Sequence, residues 1–286
     1  MDKDKYFILD FDSTFTKVEA LDKLGEISLR NEPAKEEILQ QVKNLTDSAM
    51  NGTGSFSESL SKRLQLLKAN RQHLQELISI LQENVSDSVH RNKAFFEEFA
   101  DNVLIVSSGF KEFIVPVVSA YGIKEENVYA NTFTFDEQDN IVGFDPDNVL
   151  CQDKGKIKLL DQLGLSGDVY VLGDGYTDYE IKEAGLANKF YAFTENVVRD
   201  KVVEKAEHVA PTLEEFLYQN KLPMAISYPK NRIKVLLLEN IHPNAVELFK
   251  EEGYQIEGFS GAMSEEELCE RIKNVSVLGI RSKTQV

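Results

Sequence analysis

Short apolar runs alternate with helical stretches over most of the chain, and several of these runs end in acidic or hydroxyl side chains. Residues 6–11 (Tyr-Phe-Ile-Leu-Asp-Phe) form the first run, and residues 103–106 and 169–172 form two more. Alternation of this kind indicates βαβ units, in which helices cover a parallel sheet. Because the carboxyl ends of parallel strands meet at one edge of the sheet, the polar residues there predict a ligand site.

A helical insertion follows the first predicted strand. Leucine, isoleucine and valine recur at three- and four-residue steps between residues 38 and 81, which is typical of amphipathic helices. We therefore predict a helical cap over residues 17–85, inserted into a core formed by residues 1–16 and 86–220. Within that core, residues 128–135 and 141–144 flank a polar turn and predict a β-hairpin flap.

The last part of the chain has its own α/β pattern. Residues 221–231 contain two prolines and no periodicity, so they are predicted to be a linker. Residues 232–286 then alternate three strand-like and two helical segments, at 232–239, 242–252, 255–259, 264–273 and 276–281. This is half of a flavodoxin-like, doubly wound α/β domain, and we expect an incomplete module. It contains no Gly-x-Gly-x-x-Gly loop, so we expect no nicotinamide cofactor.

Composition excludes several classes of function. The 286 residues carry a formal net charge of −16, which repels nucleic acid and anionic lipid. No apolar run approaches the length of a membrane span, and the first residues lack the pattern of a signal peptide, so a cytoplasmic location is expected. A small anionic substrate requires local cations or a metal ion, and a homo-oligomer is compatible with the sequence.

Two pairs of carboxylates follow predicted strands. Asp10 and Asp12 lie two residues apart after the first strand, and Asp174 and Asp178 lie four apart after residues 169–172. A single Asp-x-Asp is equally typical of solvated acids at a strand end. Clustered carboxylates, however, suit a hard, oxygen-liganded cation such as Mg²⁺.

Groups that can hold an anion follow another strand. Ser107, Ser108 and Gly109 come directly after residues 103–106, where a hydroxyl and backbone N–H groups at a strand-to-helix turn can bind phosphate oxygens. Lys154 supplies a candidate cation before the helix that precedes Asp174. Taken singly, Ser107 could cap a helix and Lys154 could be an exposed surface charge.

Together these groups form an ordered set that resembles the haloacid dehalogenase superfamily of phosphatases. The matching positions, in the order of the family's four motifs, are Asp10 with Asp12, Ser107, Lys154, and Asp174 with Asp178. The resemblance implies a Rossmann-like core with an inserted helical cap. It also implies a phosphoric monoester hydrolase that requires Mg²⁺.

Further residues are similar to those of phosphoserine phosphatases within that superfamily. Glu19 and Arg63 match cap residues that pair with the ammonium and the carboxylate of phosphoserine. Ser107-Ser108-Gly109 is similar to the family's Ser-Gly-Gly, and Thr177 stands where the family usually has Asn. The resemblance implies that all of these residues contact substrate. Another small phosphate monoester remains the alternative substrate.

The resemblance also implies a mechanism. Asp10 attacks phosphorus to give an aspartyl-phosphate, and Asp12 acts as general acid and then general base. The implied ligands of Mg²⁺ are Asp10, Asp174 and the backbone carbonyl of Asp12, with Asp178 orienting a metal-bound water or Lys154. Ser107, the Ser108 N–H and Lys154 are implied to stabilise charge on the phosphoryl oxygens.

The C-terminal segment has a likeness of its own. Residues 234–242 and 279–284 look like the beginning of a D-3-phosphoglycerate dehydrogenase, in which Arg281 and Ser282 match substrate-binding positions. That dehydrogenase and phosphoserine phosphatase catalyse the first and last steps of one serine-forming pathway. The association favours phosphoserine as the substrate of the first domain.

Overall fold

The computed structural model describes residues 5–50 and 55–284, with all of their side chains except those of residues 47–50. Contacts divide the chain into two compact units, one ending at Leu213 and one beginning at Glu214. This division lies before residue 220, the end predicted for the first domain. Glu215 accepts hydrogen bonds from Asn231 (2.9 Å) and Arg232 (2.8 Å), which ties the helix at 213–219 to the second unit.

Parallel strands form the centre of the first unit. Its described strands are β1 (Lys5–Leu9), β2 (Val103–Phe110), β3 (Val128–Asn131), β4 (Phe133–Phe135), β5 (Ile141–Phe144), β6 (Asp168–Gly173), β7 (Lys189–Phe193) and β8 (His208–Ala210). Within the described residues, six of them make a sheet of order β3-β2-β1-β6-β7-β8, in which all neighbours are parallel. The predicted α/β fold class is confirmed.

Helices precede, follow and cover this sheet. In the described part of the first unit they are α1 (Ala20–Ser28), α2 (Lys35–Met50), α3 (Phe56–Leu67), α4 (Arg71–Glu83), α5 (Asp87–Arg91), α6 (Lys93–Glu98), α7 (Lys111–Val118), α8 (Gly155–Leu163), α9 (Tyr176–Glu183) and α10 (Asp200–Val203). Helix α11 (Leu213–Gln219) begins at the last residue of this unit and lies otherwise in the second. Ile8, Val106, Val171 and Phe190 of the sheet are at most 1% exposed and belong to one apolar cluster with α8 and α9. None of the helices described is long and apolar enough to span a bilayer.

The predicted cap contains α1 to α4. Leu24, Leu60 and Leu77 lie on three of these helices and are fully buried, as their helical spacing predicts. The chain crosses from core to cap and back through two adjacent segments. Thr16 and Val85 face each other in an antiparallel bridge, so the entry and the exit of the cap form a short ribbon.

The predicted hairpin is shorter than expected. Strands β4 and β5 pair antiparallel across the turn, but residues 128–131 form β3 and pair in parallel with β2 instead. The apolar run at 128–135 is divided between two sheets because Val128 and Ala130 are almost completely buried beside β2.

The second unit contains every predicted strand and helix within its described residues. They are β9 (Lys234–Leu237), α12 (Pro243–Glu251), β10 (Gln255–Gly258), α13 (Glu265–Arg271) and β11 (Val277–Gly279). The sheet has the order β10-β9-β11, and both pairings are parallel. After β9, Glu239 accepts hydrogen bonds from the N–H groups of Ser282 (2.7 Å), Lys283 (2.9 Å) and Thr284 (2.6 Å), so its carboxylate fixes the residues that follow β11.

Candidate active site

The carboxyl ends of β1, β2 and β6 bring the predicted chemical groups together. Strand β1 is central, since it pairs with β2 on one side and with β6 on the other. Asp10 follows β1, Ser107 lies in β2, and Asp174 follows β6. This edge of a doubly wound sheet is where such folds usually bind ligands.

Three carboxylates form a compact acidic cluster. Oxygens of Asp10, Asp174 and Asp178 lie within 4.8 Å of one another, a spacing that could hold a metal ion. The side chain of Asp10 is 14% exposed, whereas that of Asp178 is 2% exposed. Gly173 makes room for this packing, because a Cβ there would lie 2.4 Å from the Asp178 carboxyl carbon. Burial, reinforced by the charge of Asp10, raises the pKa of Asp178.

A buried lysine neutralises part of this cluster. Lys156 Nζ lies 3.0 Å from Asp10 Oδ1 and 2.7 Å from Asp178 Oδ1, and its side chain is 4% exposed. Burial alone would lower the pKa of Lys156, but the charges of Asp10 and Asp178 outweigh it and raise that pKa. The amine therefore remains a cation inside the site.

The lysine that contacts the acids is Lys156, two residues beyond the predicted Lys154. Lys154 is exposed and precedes α8 with a left-handed backbone conformation, φ 57°. Lys156 lies inside the first turn of α8, on the same buried face as Leu159 and Leu160. A signal was present in the sequence: Lys156 shares the three- and four-residue spacing of that apolar face, and Lys154 does not.

Asp12 does not belong to the group of three clustered carboxylates found among the described residues. Its Oδ1 accepts a hydrogen bond from the Ala20 N–H (2.7 Å) at the start of α1. Its Oδ2 lies beside Gly109, where an added Cβ would be 3.4 Å away. Burial, followed by the charge of Glu19, raises the pKa of Asp12 well above its usual value. The carboxylates that group at metal-binding distances in the described residues thus include Asp178 and not Asp12.

The residues predicted to bind an anion, Ser107 to Gly109, lie in the last part of β2 and not in a turn after it. Ser107 is 1% exposed, and its Oγ accepts a hydrogen bond from the Gly109 N–H at 2.9 Å. Ser108 is half-buried, and its carbonyl accepts a hydrogen bond from Asn131 Nδ2 (2.9 Å). A Cβ at Gly109 would lie 3.1 Å from Ser107 Oγ, so this position favours glycine because the side chains around it approach closely.

Glu19 lies at the junction of the core and α1. Ser13 Oγ donates a hydrogen bond to Glu19 Oε1 at 2.8 Å. Burial, together with the charge of Asp174, raises the pKa of Glu19 to about 7. Arg199 contacts both Glu19 (3.4 Å) and Asp174 (2.8 Å), so this carboxylate lies close to the acidic cluster.

Arg63 points inward from α3. Its Nη1 donates to Thr46 Oγ1 (3.2 Å), the residue is 7% exposed, and its Nε has no hydrogen-bond partner among the residues described. Burial lowers the pKa of Arg63, and the charges of Asp22 and Glu19 oppose that shift. An inward guanidinium with an unused donor is suited to binding an anionic ligand group.

The sequence analysis missed a second cation. Arg199, in the segment after β7, donates from Nε to Asp174 Oδ2 (2.8 Å) and from Nη2 to Glu19 Oε1 (3.4 Å). The other Asp174 oxygen accepts from Thr14 Oγ1 at 3.0 Å. No local pattern marks Arg199, because its partners are distant in sequence. The predicted Thr177 is exposed on the first turn of α9, next to the buried Asp178.

Comparisons with known proteins agree with this geometry. A family model described as haloacid dehalogenase-like hydrolase matches residues 7–182. The phosphoserine phosphatase of Drosophila melanogaster is 28% identical over 214 residues, which cover 73% of this chain and 76% of the fly protein. The crystal structure of a phosphoserine phosphohydrolase-like protein from Francisella tularensis is 30% identical with a TM-score of 0.66, covering 75% of this chain and 99% of that one.

The remaining part of the chain is similar to a different enzyme. D-3-phosphoglycerate dehydrogenase of Dictyostelium discoideum is 53% identical over 60 residues, which cover 21% of this chain and 15% of the dehydrogenase. The two resemblances predicted from sequence are confirmed. Since the family model spans more than half of the chain and the acids, the serine and the buried lysine converge at one sheet edge, the chain belongs to the haloacid dehalogenase-like hydrolases.

Proposed function

We propose that the first unit hydrolyses O-phosphoserine to serine and phosphate through an aspartyl-phosphate on Asp10. The observation that carries this proposal is the set of opposed charges at the sheet edge. Lys156 contacts Asp10 and Asp178 within the core, Arg199 links Glu19 to Asp174, and Arg63 is a buried cation of α3. The curated relatives named phosphoserine phosphatase support this substrate.

Asp10 is the nucleophile in this proposal. It is the most accessible of the three clustered carboxylates. The Phe11 N–H (2.7 Å) and Lys156 Nζ (3.0 Å) both contact Oδ1, which fixes the carboxylate and leaves Oδ2 for attack on phosphorus. The P–O bond to the serine oxygen breaks as the bond to Asp10 forms.

Asp12 is the proton donor and acceptor. Its Oδ1 is held by the Ala20 N–H, and its Oδ2 lies beside Gly109, one of the residues predicted to bind phosphate. A carboxyl group held there can protonate the departing serine oxygen and then take a proton from the water that attacks the aspartyl-phosphate.

Phosphoryl oxygens are bound by the last residues of β2 and by Lys156. The Ser107 hydroxyl and the Ser108 N–H supply neutral donors, and the Gly109 N–H orients that hydroxyl by donating to Ser107 Oγ. Lys156 supplies a positive charge beside Asp10, the role predicted for Lys154. Such fixed donors stabilise negative charge that develops during phosphoryl transfer.

The acidic cluster fits Mg²⁺. All of its candidate ligand atoms are carboxylate oxygens, which this hard cation prefers. Asp10 and Asp174 would hold the ion together with the Asp12 carbonyl, and Asp178 would orient Lys156. When bound, Mg²⁺ supplies the charge neutralisation that lets an anionic carboxylate approach an anionic phosphate ester.

Glu19, Arg63 and Thr177 select the substrate in this proposal. Glu19 would bind the ammonium group, and the unused Nε of Arg63 would bind the carboxylate. Thr177 is exposed beside Asp178, where its hydroxyl can reach a bound ester. The 60-residue likeness to D-3-phosphoglycerate dehydrogenase adds support from the serine-forming pathway.

The test compares four esters with Mg²⁺ present: O-phosphoserine, phosphoethanolamine, 3-phosphoglycerate and p-nitrophenyl phosphate. Phosphoethanolamine lacks the carboxylate and 3-phosphoglycerate lacks the ammonium group. We expect kcat/KM to be highest for O-phosphoserine by at least about 30-fold, because each lost charged contact costs about 2 kcal/mol or more. Equal kcat/KM values on all four esters would contradict O-phosphoserine as the substrate and would favour a phosphatase of another ester. Release of phosphate from none of them would refute the proposed phosphatase activity.

A further inference from the structure

The catalytic loop, residues 11–16, is joined by hydrogen bonds to both segments in which the chain crosses between the core and the cap. We call this set of hydrogen bonds the clamp. Its centre is Asn196, in the segment after β7, which is distant in sequence from both crossings. Asn196 Nδ2 lies 3.0 Å from the Ser13 carbonyl, 3.3 Å from the Thr16 carbonyl and 2.7 Å from Ser86 Oγ. An amide NH₂ has only two hydrogens, so three acceptors saturate it.

Each of the three acceptors belongs to a segment that matters for the site. Ser13 and Thr16 lie in the loop between Asp10 and the cap entry, and Ser86 lies at the cap exit. Thr16 and Ser86 are fully buried, and Ser13 is 6% exposed. The clamp therefore acts in the interior, where a hydrogen bond to a carbonyl is not exchanged readily for one to water.

The clamp continues from Asn196 to the acids of the site. Ser86 Oγ donates to the Thr14 carbonyl (2.7 Å), and Thr14 Oγ1 donates to Asp174 Oδ1 (3.0 Å). On the other branch, Ser13 Oγ donates to Glu19 Oε1 (2.8 Å). A shift of the Asn196 amide thus displaces groups that touch both Asp174 and Glu19.

The neighbouring residue reinforces the same attachment. Glu195 accepts hydrogen bonds from the N–H (3.0 Å) and the hydroxyl of Ser88, just beyond the cap exit. The crossings themselves are joined by the Lys17 N–H to the Asn84 carbonyl (2.7 Å) and by the Ser86 N–H to the Phe15 carbonyl (3.0 Å). The ribbon of the two crossings is therefore fixed to the core at its base.

We propose that Asn196 is a positioning residue: its amide donors fix the catalytic loop and the base of the cap ribbon, and so set the geometry of Asp10, Asp174 and Glu19 during turnover. The inference rests on the proposed phosphatase function. It does not require Asn196 to touch substrate. The inference predicts that loss of the Asn196 amide slows the chemical step and speeds hydrogen exchange in the ribbon.

The experiment uses the full chain with Asn196→Ala and Asn196→Asp, which is isosteric but lacks the two donors. Asn127→Ala is the matched control, since Asn127 is similarly half-buried, donates one Nδ2 hydrogen bond to the Ala100 carbonyl (2.8 Å), and lies at the opposite, amino end of β3. The measurements are kcat and KM on O-phosphoserine and p-nitrophenyl phosphate with Mg²⁺, melting temperature, and hydrogen exchange of the Lys17 and Ser86 amides.

We expect both Asn196 variants to lose about tenfold to hundredfold in kcat on both esters, the scale of a small misplacement of reacting groups. KM for p-nitrophenyl phosphate should change by less than about threefold, because neither Asn196 nor Glu19 recognises that ester; KM for O-phosphoserine should rise more, because Glu19 is displaced with Ser13. Exchange of the Lys17 and Ser86 amides should accelerate about tenfold, as expected for the loss of one ordinary hydrogen bond. The Asn127 variant should match the parent in kcat and in both amides.

A kcat within twofold of the parent in both Asn196 variants, or an equal loss in the Asn127 variant, would overturn the proposal. Unchanged exchange at Lys17 and Ser86 would also overturn it. If Asn196→Ala does not fold, Ser86→Ala removes the same link to Thr14 and should reproduce the kcat defect; parent-like kcat there would overturn the link. If the parent releases phosphate from no ester, the proposed function fails, and the exchange measurement alone decides the clamp.

Discussion

Replacing Lys156 tests the central charge arrangement of the site. At about 3 Å and an effective dielectric constant of about 20, the attraction between two unit charges is roughly 5 kcal/mol. Lys156 makes two such contacts, with Asp10 and Asp178, and its side chain is 4% exposed. Lys156→Met retains much of the side-chain volume but leaves two carboxylates without their cation.

We expect two effects from this change. Removing one partner of a buried ion pair costs about 3 to 5 kcal/mol of stability, because the remaining charge stays buried. Removing a fixed cation from the phosphoryl site lowers kcat by about 10²- to 10³-fold, the loss typical of one stabilising donor. Lys154→Met is the matched control and should keep kcat within twofold, since Lys154 is exposed.

The assay is phosphate release from O-phosphoserine with Mg²⁺, at a temperature below the unfolding transition of every variant. Thermal unfolding is followed by circular dichroism, so that a loss of kcat can be separated from a loss of folded protein. A Lys156→Met protein with kcat within tenfold of the parent, or a Lys154→Met protein that loses as much, would refute the reasoning from burial.

Three further outcomes follow from the same geometry. Asp10→Asn should abolish phosphate release and aspartyl-phosphate formation, and Asp12→Asn should slow turnover about 10²- to 10⁴-fold. Acid-quench trapping of the phosphoenzyme distinguishes the two variants. An Asp10→Asn protein with a tenth of parental activity would contradict the role of Asp10 as nucleophile. Arg63→Ala and Glu19→Gln should raise KM for O-phosphoserine much more than for p-nitrophenyl phosphate, because the cost of a lost charged contact is about 2 to 5 kcal/mol. Equal rises in KM on both esters would mean that these residues stabilise the cap and do not recognise serine. In the second unit, hydrogen bonds from Thr284 and its neighbours lower the pKa of Glu239 to about 2. The stability that the Glu239 carboxylate contributes is therefore present at neutral pH and is lost as pH falls from the ordinary carboxyl range towards 2. Calorimetry of Glu239→Gln should therefore show a deficit at pH 7 that disappears near pH 2, and a deficit independent of pH would contradict this origin.

The strand-end acids were predictable from the sequence because their signal is local. An apolar run specifies a buried strand, and the first polar residues after it must lie at the carboxyl edge of a parallel sheet. Asp10, Ser107 and Asp174 all follow this rule. The helices between residues 20 and 83 were predictable for a similar reason, since they carry their own apolar periodicity.

The sequence predictions differ from the structure, or miss a residue, where the placement of a side chain depends on helix phase or on contacts between residues distant in sequence. Lys154 and Lys156 are two residues apart, and only the orientation of α8 decides which amine enters the core. Arg199 and Asn196 act on residues that are far away in sequence, so no spacing identifies them. The run at 128–135 has strand character throughout, but the sequence does not specify that its first half pairs with β2.

The ribbon at the base of the cap also has a consequence for the order of folding. Phe7 in β1 pairs with Val103 in β2, so the whole cap lies in the loop that this pairing must close. Loop closure costs conformational entropy and slows the formation of non-local contacts. Cap helices that form early would bring Thr16 beside Val85 and shorten the effective loop to residues 8–15 and 86–102. We therefore expect the cap to assist the nucleation of the central strands, and variants that weaken its leucine core to slow refolding of the whole first unit.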